Sequence, residues 1–371
     1  MRYFFSTGEA SGEFAAVVLA QTIARIDPQA QFEGIGAHRM RQAGFALWRD
    51  HTGWDSLGPF AAIPKIPKLF AVSVLTALHV ARTRPDAVVL VDFGAFNVRL
   101  AKGIRSYGYR GPVIDVFPPG AWLDSARTAK AVSQVAVPLS AFEHQAQFYR
   151  SNGLPVTYFG HPLASQYRMR EARPAAAPQD GIVAILPGSR PAEIKRHAPV
   201  VFAAYRDLKR RRPQLRAVVG AANERAMRDL RRAARAFDDG GLEFVHGTRN
   251  AIAQADAAWV ASGTAVLECA LSGVPAITFY IVSNAEARYA RRKYSGRFYT
   301  LANLVLEREV MPELMQERAT PAALAQTMNE LLADPQRQYA ELVRLRESMG
   351  PPNALERCAA FIVAAARGAI T

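Results

Sequence analysis

The stretch from Ala257 to Cys269 reads Ala-Ala-Trp-Val-Ala-Ser-Gly-Thr-Ala-Val-Leu-Glu-Cys, and it joins an apolar run to a helical pattern. Its first five residues predict a buried strand, and the residues after Thr264 predict a helix. A helix that begins at such a join points unpaired backbone N–H groups and the positive end of its dipole at the edge of the sheet. The stretch therefore predicts an anion site, although by itself it is equally compatible with an ordinary capped strand–helix turn.

Four side chains at this join have the chemistry of a phosphate and sugar site. Gly263 lets the backbone approach a phosphate closely, and the hydroxyls of Ser262 and Thr264 can cap the helix or donate to the anion. Glu268, one turn into the helix, can accept hydrogen bonds from sugar hydroxyls. We therefore expect this turn to hold a ligand.

Similar apolar runs recur along the chain, separated by helical patterns, which is typical of parallel sheets covered on both faces. A length of 371 residues favours two domains. We predict an α/β protein with two facing Rossmann-like domains, at 1–170 and 181–345, joined by a polar connector and followed by a helical tail at 346–371. The predicted strands are Arg2–Ser6, Phe32–Ile35, Asp86–Val91, Pro112–Phe117, Gln134–Val137, Val156–Phe159, Gly181–Leu186, Leu215–Val219, Leu242–Val245, Ala257–Ala261 and Pro275–Tyr280.

The net charge of +14 predicts an anionic partner, which could be nucleic acid, an acidic membrane surface or a phosphorylated substrate. No zinc-knuckle spacing or aromatic-rich RNA-binding pattern accompanies the basic residues, so nucleic acid is not expected. No 18-residue apolar run and no secretory signal are present. Cys269 and Cys358 have neither metal-ligand nor redox spacing, so the sequence predicts a cytoplasmic protein with no metal and no cofactor.

The segment Ile63–Val80 begins with two Pro-Lys pairs and then becomes almost uniformly apolar. It is too short to cross a bilayer, but it suits a helix that inserts into a membrane surface with its lysines at the headgroups. A core helix of the domain is the alternative interpretation.

Two further turns with glycine follow predicted strands. The first is Thr7-Gly-Glu-Ala-Ser-Gly-Glu13, and the second is Leu186-Pro-Gly-Ser-Arg-Pro-Ala-Glu-Ile194. Neither is a phosphate-binding Walker loop or a complete dinucleotide fingerprint. Arg190 in the second turn can form two parallel hydrogen bonds to phosphate oxygens. In open α/β sheets such turns lie where ligands bind.

Read together, these turns resemble those of the lipid-A-disaccharide synthases, which are inverting glycosyltransferases of the type B architecture (GT-B) with two Rossmann domains. The resemblance spans nearly the whole chain. Further matching segments are Gly160-His-Pro162, Asn303-Leu304 and Pro312-Glu-Leu314 with Gln316.

The resemblance implies transfer of a diacylglucosamine unit from its UDP-sugar to a diacylglucosamine 1-phosphate, with release of UDP. It implies an N-terminal acceptor domain, a C-terminal UDP-sugar domain and peripheral association with the inner membrane. It also implies electrostatic stabilisation of the leaving UDP without a metal. The donor residues would be Gly188, Ser189, Arg190, Ser262, Gly263, Thr264 and Glu268, with Asn303 close by; the acceptor-side residues would be Gly8, Ser11, Gly12, Asn97 and Trp122.

Two departures affect the acceptor half. The family pattern Asp-x-x-Asp-Phe-Asn is here Asp-Phe-Gly-Ala-Phe-Asn from residue 92 to 97, so Ala95 stands where the resemblance places the catalytic base. Losing a general base lowers a rate by roughly 10²–10⁴-fold. The family's Ser-Pro-x-x-Trp-Ala-Trp-Arg segment is also altered, at 118–125.

Asp92, Asp124 and Glu9 are the candidate replacements for the base, and Asp92 ranks first. Each also has a structural interpretation: Asp92 as a loop cap, Asp124 as a turn residue and Glu9 as a helix cap. Because of the departures, the alternatives are a UDP-sugar epimerase, a transferase with a different acceptor, and a non-catalytic binder of UDP-sugar or lipid.

Overall fold

The computed structural model describes residues 1–54, 63–119, 126–171, 181–237, 241–294 and 296–369. The chain divides into two compact units, one made of Met1–Gln166 with Met349–Thr371 and the other of Tyr167–Ser348. Each unit has its own parallel sheet with helices on its faces. The α/β class that the apolar runs predict is therefore confirmed.

The first unit contains a seven-stranded sheet in which all neighbouring strands are parallel. Its strands are β1 (Arg2–Ser6), β2 (Gln31–Gly36), β3 (Ala46–Asp50), β4 (Ala87–Val91), β5 (Val113–Val116), β6 (Val137–Ser140) and β7 (Thr157–Tyr158). Their order is β3-β2-β1-β4-β5-β6-β7. The strand order therefore reverses between β1 and β4, and ligands of open α/β sheets bind at such a switch point.

Two strands of this sheet differ from the sequence prediction. Strand β3 is not among the predicted strands, because it is a half-buried edge strand without a continuous apolar run. The predicted strand Gln134–Val137 is wrong by three residues, since the helix before it runs to Ser133 and the observed strand begins at Val137.

Helices cover both faces of the first sheet. Those before the second unit are α1 (Ala10–Ile26), α2 (His38–Gln42), α3 (Ile66–Thr83), α4 (Gly94–Ser106), α5 (Ala126–Ser133) and α6 (Glu143–Ser151). Strand β4 is buried along its whole length, which explains its uninterrupted apolar sequence. Phe4, Val88 and Leu90 pack with α3 and α4 in one core cluster.

The second unit contains a six-stranded parallel sheet. Its strands are β8 (Ile182–Leu186), β9 (Arg216–Ala221), β10 (Leu242–His246), β11 (Ala257–Ala261), β12 (Ala276–Tyr280) and β13 (Glu313–Met315). Their order is β10-β9-β8-β11-β12-β13, so the switch point lies between β8 and β11. The turn quoted at the opening follows β11 and therefore lies at this switch point.

The helices of the second unit pack on both faces of its sheet. They are α7 (Pro191–Arg211), α8 (Glu224–Ala234), α9 (Thr248–Gln254), α10 (Thr264–Leu271), α11 (Asn284–Lys293), α12 (Leu301–Leu306), α13 (Pro321–Ala333) and α14 (Pro335–Ser348). The core includes Trp259, whose indole N–H donates to Leu324 O over 3.2 Å.

The last helix, α15 (Ala354–Ala366), belongs to the first unit and packs against α1. Its Phe361 ring lies 5.7 Å from the ring of Phe159, and the Met349 carbonyl accepts the His161 N–H over 2.7 Å. These contacts hold the C-terminal segment beside the end of β7.

The burial of helix α3 changes along its length. Thr76, Ala77 and Val80, in its C-terminal half, are buried in the first unit, whereas Ile66 and Phe70, near its start, are at least half exposed, at 55% and 50%. Among the residues that the structure describes, no helix combines the length and the apolar character that crossing a bilayer needs.

Candidate active site

The turn after β8 is organised by a buried glutamate, Glu193, to which the sequence analysis assigned no role. One Glu193 carboxylate oxygen accepts the backbone N–H groups of Ser189 (3.0 Å) and Arg190 (3.1 Å). The other accepts from Arg190 Nη1 (3.1 Å) and from the Tyr280 hydroxyl (2.9 Å). The Arg190 side chain is thereby held at the turn with 23% of its surface exposed.

Gly188 is required by this packing. Its φ is +110°, and a Cβ atom there would lie 2.5 Å from Glu193 Oε2. Ser189, next to it, is exposed. The absence of a side chain at position 188 therefore leaves room for the Glu193 carboxylate beneath the turn, independently of any ligand.

His197, on α7, ties the ends of two strands together. Its Nδ1 lies 2.7 Å from the Pro187 carbonyl, after β8, and its Nε2 accepts the Ile281 N–H over 3.0 Å, after β12. Burial lowers the pKa of His197, so the neutral ring with a proton on Nδ1 satisfies both contacts. These hydrogen bonds connect the turn after β8 to the turn after β12, and these two strands are the neighbours of β11 in the sheet. No sequence motif predicted them.

At the turn after β11, Gly263 precedes α10 with a φ of 153°, which disfavours other residues. Gly263 and Thr264 are exposed, and Ser262 is half-buried. The residue at the N-cap position is Gly263, which has no side chain, so the first N–H groups of α10 have no side-chain partner from that position. The helix N-terminus presents backbone N–H groups at the surface, at the switch point.

Glu268 lies one turn along α10, at four residues from Thr264 and hence on the same helix face. Its side chain hydrogen-bonds the Tyr167 hydroxyl. The Glu268 side chain is half-buried, so part of it remains accessible to solvent.

Asn303, in contrast, is fully buried, and its amide is used within the protein. Its side-chain oxygen accepts the N–H groups of Val310 (2.7 Å) and Met311 (2.8 Å), and its amide nitrogen donates to Met311 O and Glu313 Oε1. The structure therefore gives Asn303 a supporting position rather than a surface from which to contact a nucleotide directly.

In the first unit, the turn after β1 packs against the turn after β4. A side chain at Gly8 would occupy the space of the Phe93 ring, and one at Gly12 would come within 3.1 Å of the Val91 carbonyl. Ser11 donates its hydroxyl to Asp92 Oδ2 over 3.4 Å. The acceptor-side residues Gly8, Ser11 and Gly12 are thus brought together with Asp92 at the switch point.

Asp92 has an unusual backbone. It and Phe93 both have positive φ values, 53° and 52°, in a region that costs a non-glycine residue on the order of 1 kcal/mol. The Phe93 N–H donates to Asp92 Oδ1 over 2.8 Å. Burial raises the pKa of Asp92, which makes its carboxylate more basic than an ordinary aspartate.

The remaining acceptor-side residues have other positions. Asn97 is fully buried; it accepts the Ser6 hydroxyl over 2.7 Å and donates to Asp92 O, so it links β1 and β4 rather than facing a ligand. Glu9 is the half-buried residue before α1, and its side chain does not cap that helix. Trp122 and Asp124 lie outside the described residues.

Asp115 is a buried carboxyl group that the sequence analysis also missed. It is 1% exposed within β5, and neither carboxyl oxygen has a hydrogen-bond partner among the residues that the structure describes. Burial, with a smaller contribution from Asp92, raises the pKa of Asp115 well above its usual range. An aspartate inside an otherwise apolar strand was the available signal.

The family model of the lipid-A-disaccharide synthetases matches residues 3–359 of this chain. The lipid-A-disaccharide synthase of Syntrophus aciditrophicus is 32% identical over 95% of this chain and 94% of its own length. That of Azotobacter vinelandii is 31% identical over 90% of each chain.

Solved structures show the fold independently of close sequence similarity. MurG of Acinetobacter baumannii superposes with a TM-score of 0.58 at 18% identity, covering 98% of this chain and 99% of that one. The UDP-GlcNAc 2-epimerase of Neisseria meningitidis superposes with a TM-score of 0.62 at 11% identity, over 98% and 100% of the two chains. The chain has the GT-B fold and belongs to the lipid-A-disaccharide synthetase family of glycosyltransferases.

Proposed function

We propose that this glycosyltransferase transfers a diacylglucosamine unit from its UDP-sugar to a diacylglucosamine 1-phosphate and releases UDP. The observation that carries the proposal is the exposed, uncapped N-terminus of α10 at the switch point of the second sheet, with Arg190 held on the neighbouring strand's turn. Membership of the family supplies the reaction class. Two solved structures of this fold, the UDP-GlcNAc 2-epimerases of Neisseria meningitidis and Methanocaldococcus jannaschii, contain bound UDP-GlcNAc, which supports a UDP-sugar donor.

On the donor side, the diphosphate would lie against the backbone N–H groups that follow Gly263. Arg190 would contribute its guanidinium, with Gly188 and Ser189 letting the backbone approach the phosphates. Negative charge develops on UDP as the glycosidic bond breaks, so fixed donors at this point lower the barrier. Ser262 and Thr264 would add hydroxyl donors.

On the acceptor side, Asp92 would remove the proton from the attacking hydroxyl. Its raised pKa suits a general base better than that of an ordinary aspartate. Glu9 is the second candidate, and Asp124 the third. Asp92 would then replace the carboxylate that Ala95 lacks, since Asp92 lies two residues before α4 and Ala95 is the second residue of that helix.

The phosphorylated glycolipid acceptor calls for a membrane surface, and α3 has the features of a contact. Its first two turns expose Ile66 and Phe70 together with Lys68, and Leu75 is exposed further along the helix. Apolar side chains flanked by lysines suit an interface of lipid headgroups. We therefore place the protein at the cytoplasmic surface of the inner membrane.

Incubation of the full chain with UDP-diacylglucosamine and diacylglucosamine 1-phosphate in detergent micelles tests the proposal. Mass spectrometry should detect the tetraacylated disaccharide phosphate, together with stoichiometric UDP. If the protein neither turns over nor binds UDP, the proposal is wrong.

The alternatives are favoured by one observation, which is Ala95 at the position of the family's base. UDP binding without a lipid disaccharide would favour a different acceptor, and conversion of UDP-GlcNAc to its 2-epimer would favour an epimerase. If Ala95→Asp creates transfer where the native chain has none, the native chain is a binder of UDP-sugar or lipid.

A further inference from the structure

A tyrosine and an arginine outside the predicted site are joined to Glu268. Tyr167 is 5% exposed, and its hydroxyl is hydrogen-bonded to the side chains of both Glu268 and Arg249. The Arg249 guanidinium also lies over the Tyr167 ring, with Cζ 4.4 Å from the ring centroid. The three side chains therefore form a chain of contacts that leads from the surface to Glu268.

The direction of these bonds follows from their chemistry. An arginine can only donate, so Arg249 donates to the Tyr167 oxygen, and a carboxylate can only accept, so Tyr167 donates to Glu268. Burial, with the nearby Glu268 charge, raises the pKa of Tyr167 to about 12, so its hydroxyl keeps its proton at neutral pH. A donor that is itself polarised by a cation makes a stronger hydrogen bond.

The three residues come from separate parts of the second unit. Tyr167 is its first residue, Arg249 is in the first turn of α9, and Glu268 is in α10. Nothing local in the sequence brings them together. Ordering a glutamate side chain costs rotamer entropy, and the hydrogen bond from Tyr167 compensates for that cost before any ligand binds.

We propose that Tyr167, backed by Arg249, is the positioning residue for Glu268 and so determines how strongly the nucleotide site selects ribose. The inference rests on the proposed function, in which Glu268 accepts hydrogen bonds from sugar hydroxyls. A carboxylate held in one orientation is left unpaired by a nucleotide without those hydroxyls, which penalises that nucleotide. A mobile carboxylate can instead turn and accept hydrogen bonds from water, so it discriminates less between nucleotides with and without ribose hydroxyls.

The experiment compares UDP with 2′,3′-dideoxy-UDP by titration calorimetry on the full chain. We expect the native protein to prefer UDP and Tyr167→Phe to reduce that preference about ten-fold, the effect of one hydrogen bond to a charged group. Glu268→Gln should reduce it at least as much. Tyr167→Phe in the Glu268→Gln background should then add nothing, because the two residues act as one unit.

Tyr205→Phe is the matched control. Tyr205 is also buried in the second unit and also has a cationic neighbour, Lys209, but its hydroxyl donates to the Leu215 carbonyl. This variant should keep the native preference.

Arg249→Ala is a second test variant, for use if Tyr167→Phe folds poorly. It removes an exposed side chain and should reduce the preference for UDP less than Tyr167→Phe does.

Two results would overturn the positioning role while leaving the proposed function intact. One is an unchanged preference in Tyr167→Phe and Arg249→Ala; the other is an equal loss of affinity for both nucleotides, as a purely structural role predicts. If the native protein binds neither nucleotide, the proposed function itself fails, and the inference fails with it.

Discussion

At the scale of single residues, Glu193 and Asp92 show how two carboxylates that follow switch-point strands, each in its own sheet, come to differ. Glu193 accepts from two backbone N–H groups, a guanidinium and a hydroxyl. Asp92 accepts one backbone N–H and one hydroxyl at 3.4 Å, and it keeps a raised pKa. Glu193 is thus occupied in holding its turn, whereas Asp92 retains the capacity to accept a proton.

Gly188→Ala should destabilise the second unit by more than its backbone conformation alone would cause. The new Cβ meets both a φ of +110° and the Glu193 carboxylate at 2.5 Å, whereas Gly247→Ala at φ +84° meets no atom within 4 Å. We expect about 1 kcal/mol for the control and about 2–4 kcal/mol for Gly188→Ala in urea unfolding. Equal losses would show that the carboxylate can move aside.

Asp92→Asn should lower kcat by roughly 10²–10⁴-fold and leave the affinity for UDP unchanged. The raised pKa also predicts that native activity falls, as pH decreases, at a higher pH than an ordinary aspartate would give. Asp86→Asn is the matched control, since Asp86 precedes the same strand at its other end and accepts the Arg2 N–H. An unchanged kcat in Asp92→Asn would transfer the role to Glu9 or Asp124.

At the scale of elements, each candidate turn depends on the helix that follows it. Helix α10 offers its N-terminus because no side chain caps it. Helix α7 instead closes its own N-terminus through Glu193, and thereby fixes Arg190. One helix end is left for a ligand, and its neighbour is used to hold a charged side chain beside it.

Replacement of Ile66, Phe70 and Leu75 by serine should weaken binding of the full chain to vesicles of anionic phospholipid by at least about ten-fold, because each exposed apolar side chain adds to insertion. Cosedimentation measures this. The control replaces Ile26 and Tyr107 by serine, which are exposed elsewhere in the same unit at 39% and 45%. Similar losses in both variants would mean that α3 is not the contact.

At the scale of the whole molecule, stability depends on histidines that burial keeps neutral. Burial lowers the pKa of His161 and of His144 to about 4. The unfolded chain takes up these protons near pH 6.5, so the free energy of unfolding should fall as pH decreases from about 6.5 to 4. For fully buried His161 the loss approaches about 3 kcal/mol.

His161→Gln should flatten this dependence between pH 6.5 and 4, as measured by urea midpoints over that range. His38→Gln, at an exposed histidine, should leave it unchanged. Asp115 acts in the opposite direction, because its raised pKa makes the folded state lose stability as pH rises through that value. A pH dependence that His161→Gln leaves unchanged would contradict the prediction.

The sequence by itself determined the two parallel sheets and the turns for which we propose ligand binding. A strand buried on both faces must be apolar throughout, and glycine with small polar residues must follow it where a helix begins close by. These are local requirements, so β4, β11 and the turn at Gly263 could be predicted from neighbouring residues alone. The edge strands β3 and β13 lacked that signal.

Only the tertiary structure decided what each polar side chain does. Asn97 and Asn303 appeared as ligand contacts in the sequence, yet both are buried and pair with backbone groups. Glu193 belonged to a quoted turn without an assigned role, and Tyr167 belonged to no motif, yet they hold Arg190 and Glu268. The physical reason is that a hydrogen bond depends on which distant segments the fold brings within about 3 Å, and spacing along the chain does not contain that distance.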